Sequence, residues 1–183
     1  MQTTFDVVLL TDHRYLNDSY PDQYSNNVIK EDTLVKEALE KQGLNVWRTN
    51  WDNPSFDWGT TRSILFRTTW DYFDRFPEFS KWLDTVANRT KLINPMEMIR
   101  WNMDKHYLSD LRRNGVPIVP TYFIEAGDKR TLAECLRDSG WSSVILKPAI
   151  SGAARHTYKL NSETTDALES IFSQLIKNEA MLI

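Results

Sequence analysis

Short apolar runs alternate with helical stripes over the first 95 residues, and this alternation does most to narrow the fold. Phe5 to Thr11 is a β-branched and aliphatic run ending at Asp12, which reads as a strand, and the polar stretch to Lys30 reads as a loop. From Asp32, the residues Leu34, Val35, Ala38 and Leu39 recur at helical spacing until Gly43, which stands where a helix-terminating glycine belongs. Leu44 to Thr49 predicts a second strand. Arg62 to Thr68, with Ile64-Leu65-Phe66 at its centre, predicts a third, and Lys91 to Ile93 a short fourth. Between the last two, a helix from Pro77 carries Phe79, Trp82, Leu83 and Val86 on one face. Such alternation predicts an open, mostly parallel sheet with flanking helices.

The pattern changes at Asn94-Pro95-Met96-Glu97, a helix start with an asparagine cap. Two domains are therefore expected, 1–95 and 96–183. Helical periodicity, broken near Asn102, runs to Asn114-Gly115, with Asp104 to Asn114 as its second helix, and a strand follows through Ile124. Thr131 to Ser139 is a helix closed by Gly140. Trp141 to Pro148 and Thr157 to Leu160 are strands around a small-residue loop, and Ser162 to Asn178 is helical. The second half thus reads as a sheet with helices of α+β type. The apolar end Ala180-Met181-Leu182-Ile183 looks like the start of another strand, so the chain is expected to be the front part of a longer protein.

Composition excludes several classes. Hydrophobic residues make up 41% and charged residues 26%, which suits a packed core and not a disordered chain. A net charge of -3 without a basic stripe argues against nucleic acid as a partner. No apolar run is long enough for a membrane span, and the start lacks a basic signal region, so a cytoplasmic protein is expected. The single Cys135 lies in a helical pattern beside Leu132 and Leu136 and reads as a buried small hydrophobe; with His13, His106 and His156 scattered, no metal ligands are identified. Six dispersed glycines form neither a dinucleotide fingerprint nor a Walker loop.

A few polar residues resist a structural reading. Lys147 follows Val144-Ile145-Leu146 beside a loop, and Lys105 lies near a helix start, where the dipole disfavours a cation. Each has a plain explanation, a sheet-edge lysine or a solvated helix face. Together, beside a flexible loop, they suit nucleotide phosphates. In the first domain, Arg67-Thr68-Thr69-Trp70-Asp71-Tyr72 directly follows an apolar strand, where ligands of open α/β sheets gather. Arg67 suits a substrate carboxylate and Asp71 an amine; alternatively the two pair with each other beneath a packed Trp70. Asp12 is a further candidate. Tyr15, Tyr20 and Tyr24 mark either a lid or a solvated insertion, and Trp47, Trp51, Trp58, Trp82, Trp101 and Trp141 read as packing residues.

The segments NPMEMIRWNMDKHYLSDLRRNGVPIVPTYF and SSVILKPAISGAARHTYKL resemble the first half of an ATP-grasp ligase, in the glutathione-synthetase-like and RimK-type branch. The likeness spans nearly the whole chain, its weight carried by the order and spacing of motifs. It implies that Lys105 and Lys147 contact ATP phosphates as catalytic and nucleotide-binding residues. It further implies that a loop of Ile150, Ser151, Gly152, Ala153, Ala154 and Arg155 closes over them, although this loop carries a single glycine. By the same resemblance, 1–95 is a pre-ATP-grasp domain on the substrate side and 96–183 the first lobe of the ATP-grasp domain. The implied reaction is ATP-dependent carboxylate–amine ligation through an acyl phosphate, with magnesium bound by residues expected beyond Ile183. Small-molecule acid and amine substrates are the expected partners, and a homo-oligomer is compatible with the family. A non-catalytic nucleotide-binding or interaction module, and an α/β domain unrelated to ATP, remain open alternatives.

Overall fold

The computed structural model describes residues 3–16 and 22–183, which divide into two compact units, Met1–Ile99 and Arg100–Ile183. The first unit contains β1 (Phe5–Thr11), α1 (Gln23–Lys41), β2 (Val46–Asn50), β3 (Thr61–Thr68), α2 (Phe76–Ala87) and β4 (Lys91–Ile93). Its sheet is wholly parallel in the order β2-β1-β3-β4. β1 is central and buried on both faces, which is why its sequence is a continuous apolar run. Val7 and Leu9 pack with Val46, Val35, Leu39 and Leu65 on one side. On the other parity, Val8, Leu10 and Ile64 are fully buried, and Phe66 meets Phe79 and Trp82 of α2 edge-on at 6.5 and 6.2 Å. Each such aliphatic side chain contributes about 1.5–3 kcal/mol when removed from water.

α1 begins nine residues before the expected Asp32, with Asp22 accepting a bond from the Ser25 amide at 2.8 Å. Its early inward face is Ser25, Val28 and Asp32, and two polar residues at those positions hide the helix from a hydrophobic count. Tyr24 therefore lies on a helix and not in a loop. Tyr15 is buried in a 3-10 turn, His13–Tyr15, and Tyr20 lies outside the described residues.

α3 (Met96–Met103) spans the boundary between the units. The second unit holds α4 (Tyr107–Arg113), β5 (Phe123–Ile124), α5 (Leu132–Ser139), β6 (Ser143–Pro148), β7 (Tyr158–Asn161), α6 (Thr165–Leu175) and β8 (Met181–Leu182). Its sheet is antiparallel, in the order β5-β8-β6-β7. The mixed architecture, a parallel sheet followed by an antiparallel one with helices, is as expected. Leu132, Cys135 and Leu136 of α5 and Phe172 of α6 join Val144, Leu146, Leu160 and Met181 in one core. The opposite parity of β6 is uncovered, with Ile145 44% exposed. α5 is held by a Thr131–Glu134 capping box and ends at Gly140, whose φ of 74° suits glycine. Trp51 and Trp58 are buried, whereas Trp47, on edge strand β2, and Trp101 stay partly exposed while packing on Phe5 and Tyr107 at 5.6 and 5.1 Å. Among the described residues, no helix is long and apolar enough to cross a membrane.

Candidate functional site

On the uncovered face of the second sheet is a cavity of about 850 Å³, within the range of small-molecule sites. Pro117, Ile118, Val119, Pro120, Ile145 and Leu182 supply apolar walls, and Lys105, Lys147 and Lys159 supply three ammonium groups. Among the described residues, no Asp or Glu side chain lines it. Lys105 stands in the turn between α3 and α4, not in the helix expected from Asp104, because α4 starts only at Tyr107. Its amide donates to Ala149 O at 3.0 Å, and its Nζ donates to Ala149 O at 3.2 Å and Ser151 O at 2.8 Å. Burial lowers the Lys105 pKa, the Lys147 charge lowers it further, and Asp104 partly offsets both.

Lys147 is not an edge residue. β6 lies between β8 and β7, and Lys147 stands opposite Leu182. Lys159 was not singled out from sequence. Its signal is the two-residue period of the hairpin, which pairs Lys159 with Ile145 and so brings it to the Lys147 face. Ser151 touches Lys105 only through its carbonyl, while Gly152, Ala153 and Ala154 do not line the cavity. Ala153 and Ala154 adopt φ of 49° and 59°, a left-handed conformation unusual for alanine. Arg155 forms a two-armed ion pair with Glu179 at 2.7 and 2.9 Å, which ties the loop to the segment before β8.

In the first unit the chain leaves β1 toward β2 on one side and returns to β3 on the other. The order therefore reverses beside β1, and the crevice outside the carboxyl ends of β1 and β3 is the expected ligand position in such sheets. Asp12 and Asp71 both stand there. Thr11 and Thr68 join the strand ends by a 2.6 Å hydroxyl bond. Asp12, fully buried, caps the 3-10 turn through the Arg14 amide at 2.9 Å and accepts from Arg14 Nε at 2.8 Å. Asp71 is 6% exposed, and both of its oxygens accept from Trp51 Nε1, at 2.9 and 3.0 Å. Burial raises its pKa; the Trp51 bond opposes this, and the Asp12 and Asp52 charges add to it.

His13 Nδ1 lies 3.3 Å from Asp12 and 3.9 Å from Asp71, so Asp12, His13 and Asp71 bring donor atoms within 4.8 Å of one another, as a metal would require. Arg14 already neutralises Asp12, and Trp51 occupies Asp71. Arg67 points to another network. It meets Asp32 at 3.3 Å and Glu31 at 3.7 Å, and Arg48 shares the buried Asp32 at 2.9 Å. The alternative of an Arg67–Asp71 pair is thus not formed. Trp70 packs between Tyr15 and Tyr24, with ring centroids at 6.0 and 6.2 Å. Arg48, Asp32 and Trp51 escaped sequence reasoning because each acts through neighbours distant in sequence, and His13 because its approach to Asp71 joins residues far apart in the chain.

Comparison with known proteins gives a family match within the first unit and structural matches over nearly the whole chain. Residues 7–94 match the family described as D-cycloserine synthetase DcsG, N-terminal domain. The cycloserine biosynthesis protein DcsG of Streptomyces lavendulae is 35% identical over 91 residues, which cover 50% of this chain and 30% of that protein. The crystal structure of D-cycloserine synthetase DcsG superposes with a TM-score of 0.82 at 23% identity, over 96% of this chain and 57% of that one. A RimK domain ATP-grasp protein from Sphaerobacter thermophilus has a TM-score of 0.61 at 14% identity, over 97% of this chain and 62% of that one. A D-alanine–D-alanine ligase from Bacillus anthracis has a TM-score of 0.59 at 12% identity, over 97% and 56%. The fold is shared with these ATP-grasp and ligase structures, and the chain spans less than two thirds of each relative's length.

Proposed function

We propose that this chain forms the nucleotide-binding and substrate-binding front portion of an ATP-dependent carboxylate–amine ligase. One observation carries the reading: three lysines face an apolar cavity to which no Asp or Glu side chain among the described residues contributes. Such a cavity suits an amphiphilic anion, with a planar base against Pro117, Ile145 and Leu182 and phosphates against Lys105 and Lys147. The matched family and the shared fold support the same class. Residues 1–95 serve the substrate, and 96–183 serve ATP as the first lobe of an ATP-grasp domain.

In this reading a substrate carboxylate attacks the γ-phosphoryl group, giving an acyl phosphate and ADP, and an amine then displaces phosphate. Lys105 and Lys147 neutralise charge on the transferring phosphoryl group, and the carbonyls of Ala149 and Ser151 hold the Lys105 ammonium in place. Asp71 receives an amino group at the crevice of the first sheet, beside Asp12, whose own charge is held by Arg14. Arg67, already held by Asp32 and Glu31, keeps a partly exposed edge for a substrate carboxylate. The relatives' names point to amino-acid-like acids as the substrate class. Among the described residues the cavity lining holds no Asp or Glu for magnesium, so the ion enters no step derived from these residues.

Calorimetric titration of magnesium-ATP into the full-length protein tests the reading. Lys147→Ala should weaken binding about 10- to 150-fold, the range of one charged hydrogen bond. Unchanged affinity would remove Lys147 from the site, and no binding by the unaltered protein would end the ligase proposal.

A further inference from the structure

Lys105 is flanked by two residues whose side chains bind each other. His106 Nδ1 meets Asp104 Oδ1 at 2.6 Å, and the His106 amide donates to the same oxygen at 3.0 Å. The imidazole stacks on Phe123 of β5, with centroids 4.2 Å apart and planes inclined by 21°, and its Nε2 faces Glu125 Oε1 at 3.2 Å. An imidazolium satisfies both carboxylates, because each ring nitrogen then donates. A neutral ring can donate to only one of them.

Asp104 matters because it is the carboxylate whose charge acts on Lys105, while Lys147 is the cation that acts on it. The turn places Asp104 next in sequence to a lysine whose ammonium, among the described residues, hydrogen-bonds to two carbonyls and to no carboxylate. Asp104 can compete for that ammonium only when its carboxylate is not held elsewhere. His106 holds it, and β5 holds His106.

We propose that His106 is a positioning residue that keeps Asp104 away from Lys105, so that the ammonium stays open to an anionic ligand in the cavity. This rests on the reading of Lys105 as a phosphate contact. The groups facing the imidazole are Asp104 from its own turn and Glu125 from the end of β5, with Lys105 alongside. Burial works against its charge, but the hydrogen bonds and charges of Asp104 and Glu125 prevail, and its pKa is raised. The clamp is thus complete at low pH and loosens as the pH rises through that value, which lies above the ordinary 6.5.

The test measures magnesium-ATP affinity of the full-length protein from about pH 6 to about pH 9, with wild type compared to each variant at every pH so that the nucleotide's own ionisation cancels. His106→Gln should weaken binding about two- to fivefold at the acid end, the worth of a partly exposed ion pair, and converge on wild type at the alkaline end. Asp104→Asn keeps the acceptor for the His106 amide but removes the charge. It should abolish the pH step by itself, and His106→Gln added to it should have no further effect. A His106→Gln effect that is independent of pH, or that persists in the Asp104→Asn background, would overturn the proposal. Lys105→Gln separates the two failures: normal binding by that variant would defeat the nucleotide reading itself, whereas impaired binding with no His106 dependence would defeat only the clamp.

Discussion

Trp51→Phe tests the crevice of the first sheet through its stability. The change deletes the Nε1–H that bonds both oxygens of Asp71, a carboxylate only 6% exposed. His13 Nδ1 and Arg75 Nη1 lie 3.9 Å from Asp71 and do not replace that bond. A hydrogen bond to a charged group is worth about 1.5–3 kcal/mol, against about 0.5–1.5 kcal/mol for a neutral one. The smaller ring also loosens packing against Phe79 and Trp82, whose centroids lie 5.2 and 5.9 Å from Trp51. That packing loss is common to any state of residue 71. In an Asp71→Asn background the amide oxygen still accepts, so Trp51→Phe should cost about 1 kcal/mol less there.

Urea unfolding of the four proteins of this cycle, followed by circular dichroism, reads the difference as a midpoint shift of about 0.5–1 M. Additive costs would refute the claim that the indole bond serves a buried charge. The pH dependence has a defined sign as well. Because the folded-state pKa of Asp71 is raised, the folded protein binds more protons than the unfolded one between the ordinary carboxylate value and the raised one. Stability attributable to Asp71 therefore falls as pH rises through that window and is level above it. Asp71→Asn should lack this decline.

Two further outcomes follow from burial and backbone geometry. Ala154→Gly, at φ 59°, should raise stability by about 0.5–1 kcal/mol in the same denaturation assay, since relief of a left-handed alanine outweighs the entropy of glycine; destabilisation would contradict the strain. Cys135, fully buried with its thiol pKa pushed up to about 11, should resist alkylation by iodoacetamide in the native protein and react only upon unfolding, and rapid native labelling would show that α5 opens readily.

The strand and helix pattern was legible wherever burial was apolar. β1, β3, β4 and α2 announce themselves because hydrophobic residues at periods of two or 3.6 mark buried faces. The capping box of α5 and its closing Gly140 are equally local signals. α1 is the counterexample: its first turns bury Ser25, held by the cap residue Asp22, and Asp32, which is stable inside because Arg48 and Arg67 bind it from elsewhere in the fold. A hydrophobic count has no access to such partners.

The site divides the same way. That Lys105 and Lys147 were unusual could be read from an ammonium beside an apolar strand and another near a helix start. That they share one cavity with Lys159, that Arg67 faces Asp32 and not Asp71, and that His106 sits between Asp104 and Glu125 depended on sheet order and hairpin register. Local chemistry sets what each residue can bind, and it is inherited directly from the sequence. Which residues meet is set by packing across the chain, where one buried charge must find its partner among groups tens of residues away.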